Sequence, residues 1–136
     1  HFEKSEKKTH KLLIFCTRPA IRNISWNFVT EVIATAVLLM GVLGIFNNEN
    51  GIHCGIGPLA VGILVFSIGL SLGGPTGYAI NPARDLGPRL VHALFPVPGK
   101  GTSDWDYAWV PIFGPLLGGA IGAFLYQLII NPLMPI

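Results

Sequence analysis

The sequence predicts an all-α membrane protein with three transmembrane helices and one shorter helix that enters the bilayer without crossing it. Three observations carry this expectation. Of 136 residues, 51% are hydrophobic and only 12% are charged, with a mean hydropathy of +0.57, which leaves too little polar surface for an ordinary water-soluble globule. The apolar residues gather in three long segments, at about 26–46, 58–72 and 109–130. Between the second and third, Asn81-Pro82-Ala83-Arg84-Asp85 starts a helix in the middle of apolar sequence, directly after a Gly- and Pro-rich break. A helix that begins inside a membrane turns its positive dipole end, and the arginine beside it, toward whatever crosses there. That arrangement suits a path for neutral solutes.

The elements follow in chain order. His1 to Lys11 is a mixed-charge run, most often a solvated face, and with the short apolar patch Leu12–Cys16 it belongs to a polar connecting loop over 1–22. The run lacks an apolar core, so no signal peptide is read there, and the sequence is expected to open in the interior of something larger. Trp26 to Phe46 is long and apolar enough to span, with Glu31 as its one carboxylate. Asn47-Asn48-Glu49-Asn50-Gly51 supplies turn formers, and the loop is expected to continue to Gly57. Pro58 to Leu72 is the second apolar segment, short of the ~20 residues a perpendicular span needs unless loop residues extend it. Gly73-Gly74-Pro75 is expected to stop it, leaving Thr76 to Ile80 as extended backbone at membrane depth. Such backbone is tolerated only where it lines a cavity or packs on protein. Asn81 can cap the next helix and Pro82 fits its first position. That helix should end near Leu94 or Phe95, before Pro96 and Pro98, so the re-entrant loop and half-helix occupy about 73–95. At 1.5 Å per residue the helix is about 20 Å long and cannot cross. A polar loop, 96–105, leads to the last span, where Trp105, Tyr107 and Trp109 are expected to form an interfacial aromatic belt. Within that span Gly114, Gly118 and Gly122 repeat a small-x-x-x-small spacing, read as close helix packing in preference to a special dimerisation role.

Several function classes are excluded or unsupported. The formal charge of +2 reflects basic residues in one tail, and no interleaved basic and aromatic spacing marks a nucleic-acid footprint. Cys16 and Cys54 stand alone and are read as unpaired thiols. His53 and His92 have no acidic or cysteine neighbours at ligand spacing and are read as surface or packing residues, so no metal and no cofactor is expected. No nucleophile and base pair or phosphate loop supports an enzyme.

The stretch from Gly73 through Asn81-Pro82-Ala83-Arg84-Asp85 to Gly87-Pro88-Arg89 resembles the second Asn-Pro-Ala loop of the major intrinsic (aquaporin) proteins, specifically the glycerol facilitator branch. Pro111-Ile112-Phe113-Gly114-Pro115 is similar to the same branch. The resemblance covers essentially the whole chain and implies that 23–136 is the C-terminal half of an aquaporin-like channel. Such proteins have two halves in inverted orientation, and this sequence holds one Asn-Pro-Ala. The implied partners are therefore the lipid bilayer, an N-terminal half carrying the first Asn-Pro-Ala motif, and further copies in a homotetramer. The implied function is a passive channel, multi-pass in the plasma membrane, for glycerol and other small uncharged solutes with some water. Here the chain supplies one half of the pore.

Residue by residue, Asn81 as cap can accept backbone N–H groups and keep its amide NH₂ free to donate. The carbonyls of Gly77, Tyr78, Ala79 and Ile80 offer acceptors to a polyol. Arg84 matches the family's selectivity arginine, always charged and rich in donors, able to bind hydroxyls while repelling cations. Gly69 and Tyr78 match the positions that flank it, glycine leaving room for a carbon skeleton and the ring supplying an apolar wall. Pro82, Ala83, Asp85, Arg89 and Glu31 are expected to support the loop. Asp85 and Arg89 do so as an i,i+4 ion pair, and Glu31 by accepting loop N–H groups as in similar proteins. Two alternatives stay open. Arg84 could be neutralised by adjacent Asp85, and Glu31 could bind the coupling cation of an ion- or proton-coupled secondary transporter with broken helices. The basic residues before the first span predict a cytoplasmic loop. The resemblance implies the outside, and is followed here.

Overall fold

The computed structural model describes residues 7–48 and 55–130. Within them lie helices α1 (Lys8–Leu13), α2 (Ile24–Ile45), α3 (Gly57–Thr76), α4 (Pro82–Leu94) and α5 (Trp105–Leu125), the last continued by a π-helical turn, Tyr126–Ile130. His53, Cys54 and most of the expected turn at Asn47–Gly51 lie outside the described residues.

Among the described residues three helices are long and apolar enough to cross a membrane: Ile24–Ile45, Gly57–Thr76 and Trp105–Ile130, of 22, 20 and 26 residues. At 1.5 Å per residue each reaches or exceeds a hydrocarbon core of about 30 Å. With 13 residues, α4 does not. The chain is thus an all-α, multi-pass membrane protein.

Helix α2 begins where Asn23 accepts the Trp26 N–H, and it runs without a break because its interior holds neither proline nor an uncompensated charge. Helix α5 lies along it. Added Cβ atoms at Gly114 and Gly122 would stand 2.8 Å from Glu31 Cβ and Ala36 Cα of α2, and one at Gly118 would strike the Val32 carbonyl. The glycine spacing therefore serves contact between α2 and α5 of one chain. Helix α3 packs on the other side of α2. Ala34, Ile68 and Ile80 form a buried cluster there with Leu38, Leu64, Val65 and Leu72, so α2, α3 and the loop before α4 share one core.

Four expectations are corrected. Gly73-Gly74-Pro75 does not stop the second span, which continues to Thr76. The residue before a proline is normally pushed out of the helical region by a clash with its own Cβ, and Gly74 has none. The helix ends instead at Gly77, whose φ of +80° is the left-handed cap that favours glycine and whose N–H returns to the Gly73 carbonyl at 2.8 Å. The loop that follows is not extended, since Tyr78 and Ile80 also have positive φ, 42° and 44°. The 1–22 segment is not wholly loop, because α1 is helical and Lys11 is buried with its ammonium on the Pro98 carbonyl at 2.8 Å. Finally, α5 starts at Trp105, and Tyr107 is 0% exposed, so only Trp105 and Trp109 present faces at that end.

Cys16 is buried as well, and burial pushes its thiol up to about 11, so it stays protonated and unreactive near neutral pH.

Replacing Gly118 with valine should destabilise the fold by about 1–3 kcal/mol, since its side chain meets α2 backbone that cannot rotate away. Gly62, with open space where its Cβ would stand, is the control and should accept alanine within about 0.5 kcal/mol. Reversible unfolding in mixed micelles measures both.

Candidate functional site

The site is built around a carboxylate in the wall of α2. Glu31 is 0% exposed, and its two oxygens accept from the backbone N–H groups of Ala79 and Ile80 at 2.9 and 2.8 Å. Two charge-assisted bonds of this kind are what a buried carboxylate requires. They also hold a loop that local preference opposes. A β-branched residue at positive φ, as at Ile80, costs of order 1–3 kcal/mol and persists only when its surroundings fix it. Burial of Ile80 in the α2–α3 core and the Glu31 bonds supply that fixing. With the amides turned to Glu31, the carbonyls of Gly77, Tyr78, Ala79 and Ile80 accept no hydrogen bond among the described residues.

Asn81 is the N-cap of α4, and its side-chain oxygen accepts from the Ala83 and Arg84 N–H groups at 2.9 and 3.4 Å. Its exposed amide nitrogen keeps two donors with no partner among the described residues. Pro82 takes the first helical position, where no N–H is needed.

Asp85 and Arg89 form the expected pair, 2.7 Å apart and fully buried. Arg89 uses all five of its N–H groups. They go to both Asp85 oxygens, to the carbonyls of Ser103 and Asp104, and to the carbonyl of Thr17. Asp85 Oδ2 further accepts the Thr17 N–H and hydroxyl at 2.7 and 2.6 Å. A buried pair with every donor satisfied is a framework element. It ties α4 to the segment before α2 and to the loop before α5. Asp85 therefore has no capacity to neutralise Arg84. The Arg84 guanidinium is exposed, with no carboxylate partner among the described residues.

The structure brings Tyr78, Ala79, Ile80, Asn81 and Arg84 to one groove of about 220 Å³, whose remaining walls are Leu38 of α2 and Val65 of α3. Polar donors and acceptors on one side thus face an aliphatic surface on the other. Gly69 and Gly77 lie elsewhere. A Cβ on Gly69 would stand 3.0 Å from Tyr78 Cζ, and one on Gly73 would stand 2.6 Å from Cδ1, so the phenol leans on a glycine face of α3. The room at Gly69 is occupied by this ring. Gly77 packs against Thr17 and Arg18. Sequence reasoning missed Leu38, Val65, Gly73 and Thr17. The first two carry no signal beyond apolarity, and Thr17 meets Asp85 across 68 residues.

His92 is buried, edge-on to Phe15, with Nδ1 2.8 Å from the Ser103 hydroxyl. Among the described residues no group of three or more His, Cys, Asp or Glu side chains could hold a metal.

Comparison with known proteins places this geometry. The chain is 60% identical to a probable glycerol uptake facilitator protein of Thermotoga maritima, over 93% of this chain and 53% of that protein. It is 54% identical to glycerol uptake facilitator protein 3 of Lactiplantibacillus plantarum, over 95% and 53%. The chain spans about half the length of the curated relatives it matches. The X-ray structure of the aquaglyceroporin from Plasmodium falciparum superposes with a TM-score of 0.76 at 31% identity, covering 88% of this chain and 51% of that one. The family model described as major intrinsic protein matches residues 4–126. On a match of that extent, with relatives of that identity, the chain belongs to the major intrinsic protein family, on its glycerol facilitator branch.

Proposed function

We propose that this chain is the C-terminal half of a passive plasma-membrane channel for glycerol and other small uncharged solutes, with some water. The observation that carries the reading is the groove itself. In it Arg84 and the Asn81 amide, both without a partner among the described residues, stand opposite Leu38 and Val65. A polyol has a hydroxyl edge and a carbon edge, and such a groove offers a partner to each. Hydroxyls accept from Asn81 and Arg84 and donate to the loop carbonyls, so the solute exchanges its water shell without leaving groups unpaired. The fixed guanidinium and the positive end of α4 repel cations in the same place. The relatives named as glycerol uptake facilitators support the solute class.

The groove is open on one side, and the share of each relative covered supports a second half, bearing another Asn-Pro-Ala, as its lid. Such two-half protomers would assemble as a homotetramer with one pore in each. The coupled-transporter reading loses its support at Glu31, whose two oxygens are both committed to loop amides inside the protein.

Co-expressing this chain with a matching N-terminal half should restore rapid glycerol uptake in vesicles, with low activation energy and no saturation, while this chain alone should not. Uptake by the isolated chain would refute the two-half reading. In the complete channel, Arg84→Val should raise proton or cation conductance about tenfold, because a fixed charge on a narrow path is worth at least about 1.4 kcal/mol there. Conductance left at background would place the barrier elsewhere. Glu31→Gln turns an N–H donor against a loop N–H and should cut glycerol uptake about 10- to 100-fold, in line with about 1.5–3 kcal/mol for a bond to a charged group. Stopped-flow light scattering reads the change, and unaltered uptake would show that the loop holds its shape without the carboxylate.

A further inference from the structure

We infer that a second, positively charged pocket outside the groove binds a phosphate group. The pocket, of about 250 Å³, lies between α1, the segment before α2 and the loop before α5. It is lined by Lys8, Arg18 and Arg22, by the hydroxyl-bearing Thr9 and Thr102, and by Lys100 with Asp104 as its one carboxylate.

The cations differ in what they have left to give. Lys100 donates to the carbonyls of His92, Ala93 and Phe95, which closes the C-terminal end of α4 and leaves a fixed charge without a free N–H. Arg22 is held by Asp104 at 2.6 Å and lies over the Tyr107 ring, 5.9 Å from its centroid. That contact engages Oδ1 of the one acidic side chain of the lining, whose buried Oδ2 has no hydrogen-bond partner among the described residues. Lys8 and Arg18 have no carboxylate partner among the described residues. The base of each is held in advance. The Lys8 stem lies against Gly101, where an added Cβ would come within 3.1 Å of it, and Arg18 follows Thr17, which Asp85 and Arg89 clamp.

Two uncommitted cations, one a planar fork and one a compact ammonium, with two hydroxyl donors beside them match the several oxygens of a phosphate better than any neutral solute. Because the Lys8 stem and the backbone beside Arg18 are already held, part of the ordering cost is met before the ligand arrives. The phosphate is either free in solution or the headgroup phosphate of an anionic lipid, since Leu13 and Ile14, which follow the pocket-lining Leu12 in sequence, are exposed and apolar. None of these residues lines the glycerol groove, so phosphate binding and glycerol uptake can fail separately.

The test uses the complete protein purified in a neutral detergent and titrated calorimetrically with inorganic phosphate at constant ionic strength, with chloride as control. Saturable binding is expected, and Arg18→Gln and Lys8→Gln should each weaken it about tenfold while glycerol uptake stays intact. In nanodiscs of phosphatidylcholine, added phosphatidylglycerol should compete if the lipid is the source and leave phosphate binding unchanged if the free anion is. No saturable binding beyond chloride with either source, or binding untouched in both variants, would overturn the proposal.

Discussion

The bond pair from the Ala79 and Ile80 amides to the Glu31 carboxylate is the constraint on which the rest of the structure turns. A carboxylate in the wall of a spanning helix costs several kcal/mol unless it is bonded. Backbone that stops short at membrane depth carries the complementary need, N–H groups without water. Each cancels the other's cost. Because the loop N–H groups must turn inward to reach Glu31, the conformation takes positive φ at Tyr78 and Ile80, and the carbonyls are left for a visitor. The strain, the buried acid and the free acceptors are therefore one feature seen from three sides.

A second clamp fixes the helix that leaves this loop. Arg89 and Asp85 sit one turn apart on α4, and together they hold Thr17 from the segment before α2 and Ser103 and Asp104 from the loop before α5. Since Asp85 is fully engaged there, its neighbour Arg84 remains a free cation on the exposed side of the same helix turn. The framework ion pair and the solute-facing arginine are thus coupled by exclusion. If Asp85 were not tied down by Arg89 and Thr17, the nearest carboxylate would compete for Arg84.

Much of this was legible in the residues. The three spans follow from apolar length, and the start of α4 from Asn81 and Pro82, because capping is local chemistry. The ion pair at Asp85 and Arg89 follows from helical spacing. What could not be read depends on contacts distant in sequence. Thr17 touches Asp85 across 68 positions, and Leu38 and Val65 face the loop only once α2 and α3 are packed. The end of α3 departs from the sequence expectation for a different reason. Gly-Gly-Pro reads as a break by composition, yet glycine before proline removes the very clash that makes proline a helix stop. Tyr107, expected at the interface with its tryptophan neighbours, is fully buried instead, with Arg22 over its ring.

The distribution of polarity on α4 shows how a half-helix of this kind is stabilised. Its buried side carries Asp85, Arg89 and His92, and its exposed side carries Gly87, Leu90, Val91 and Leu94 beyond Arg84. A helix on a water-soluble protein would reverse this pattern. In hydrocarbon the driving force for burying leucine against protein vanishes, while the cost of an unbonded charge rises, so the polar side turns inward to its hydrogen bonds. The apolar side is then free to meet lipid or another apolar protein surface. Only Arg84 and the Asn81 amide break that rule among the first residues of the helix. A charged group left exposed where every neighbouring charge is buried and bonded is held in reserve for something outside the chain, and this places solute contact at the amino end of α4 rather than along its length.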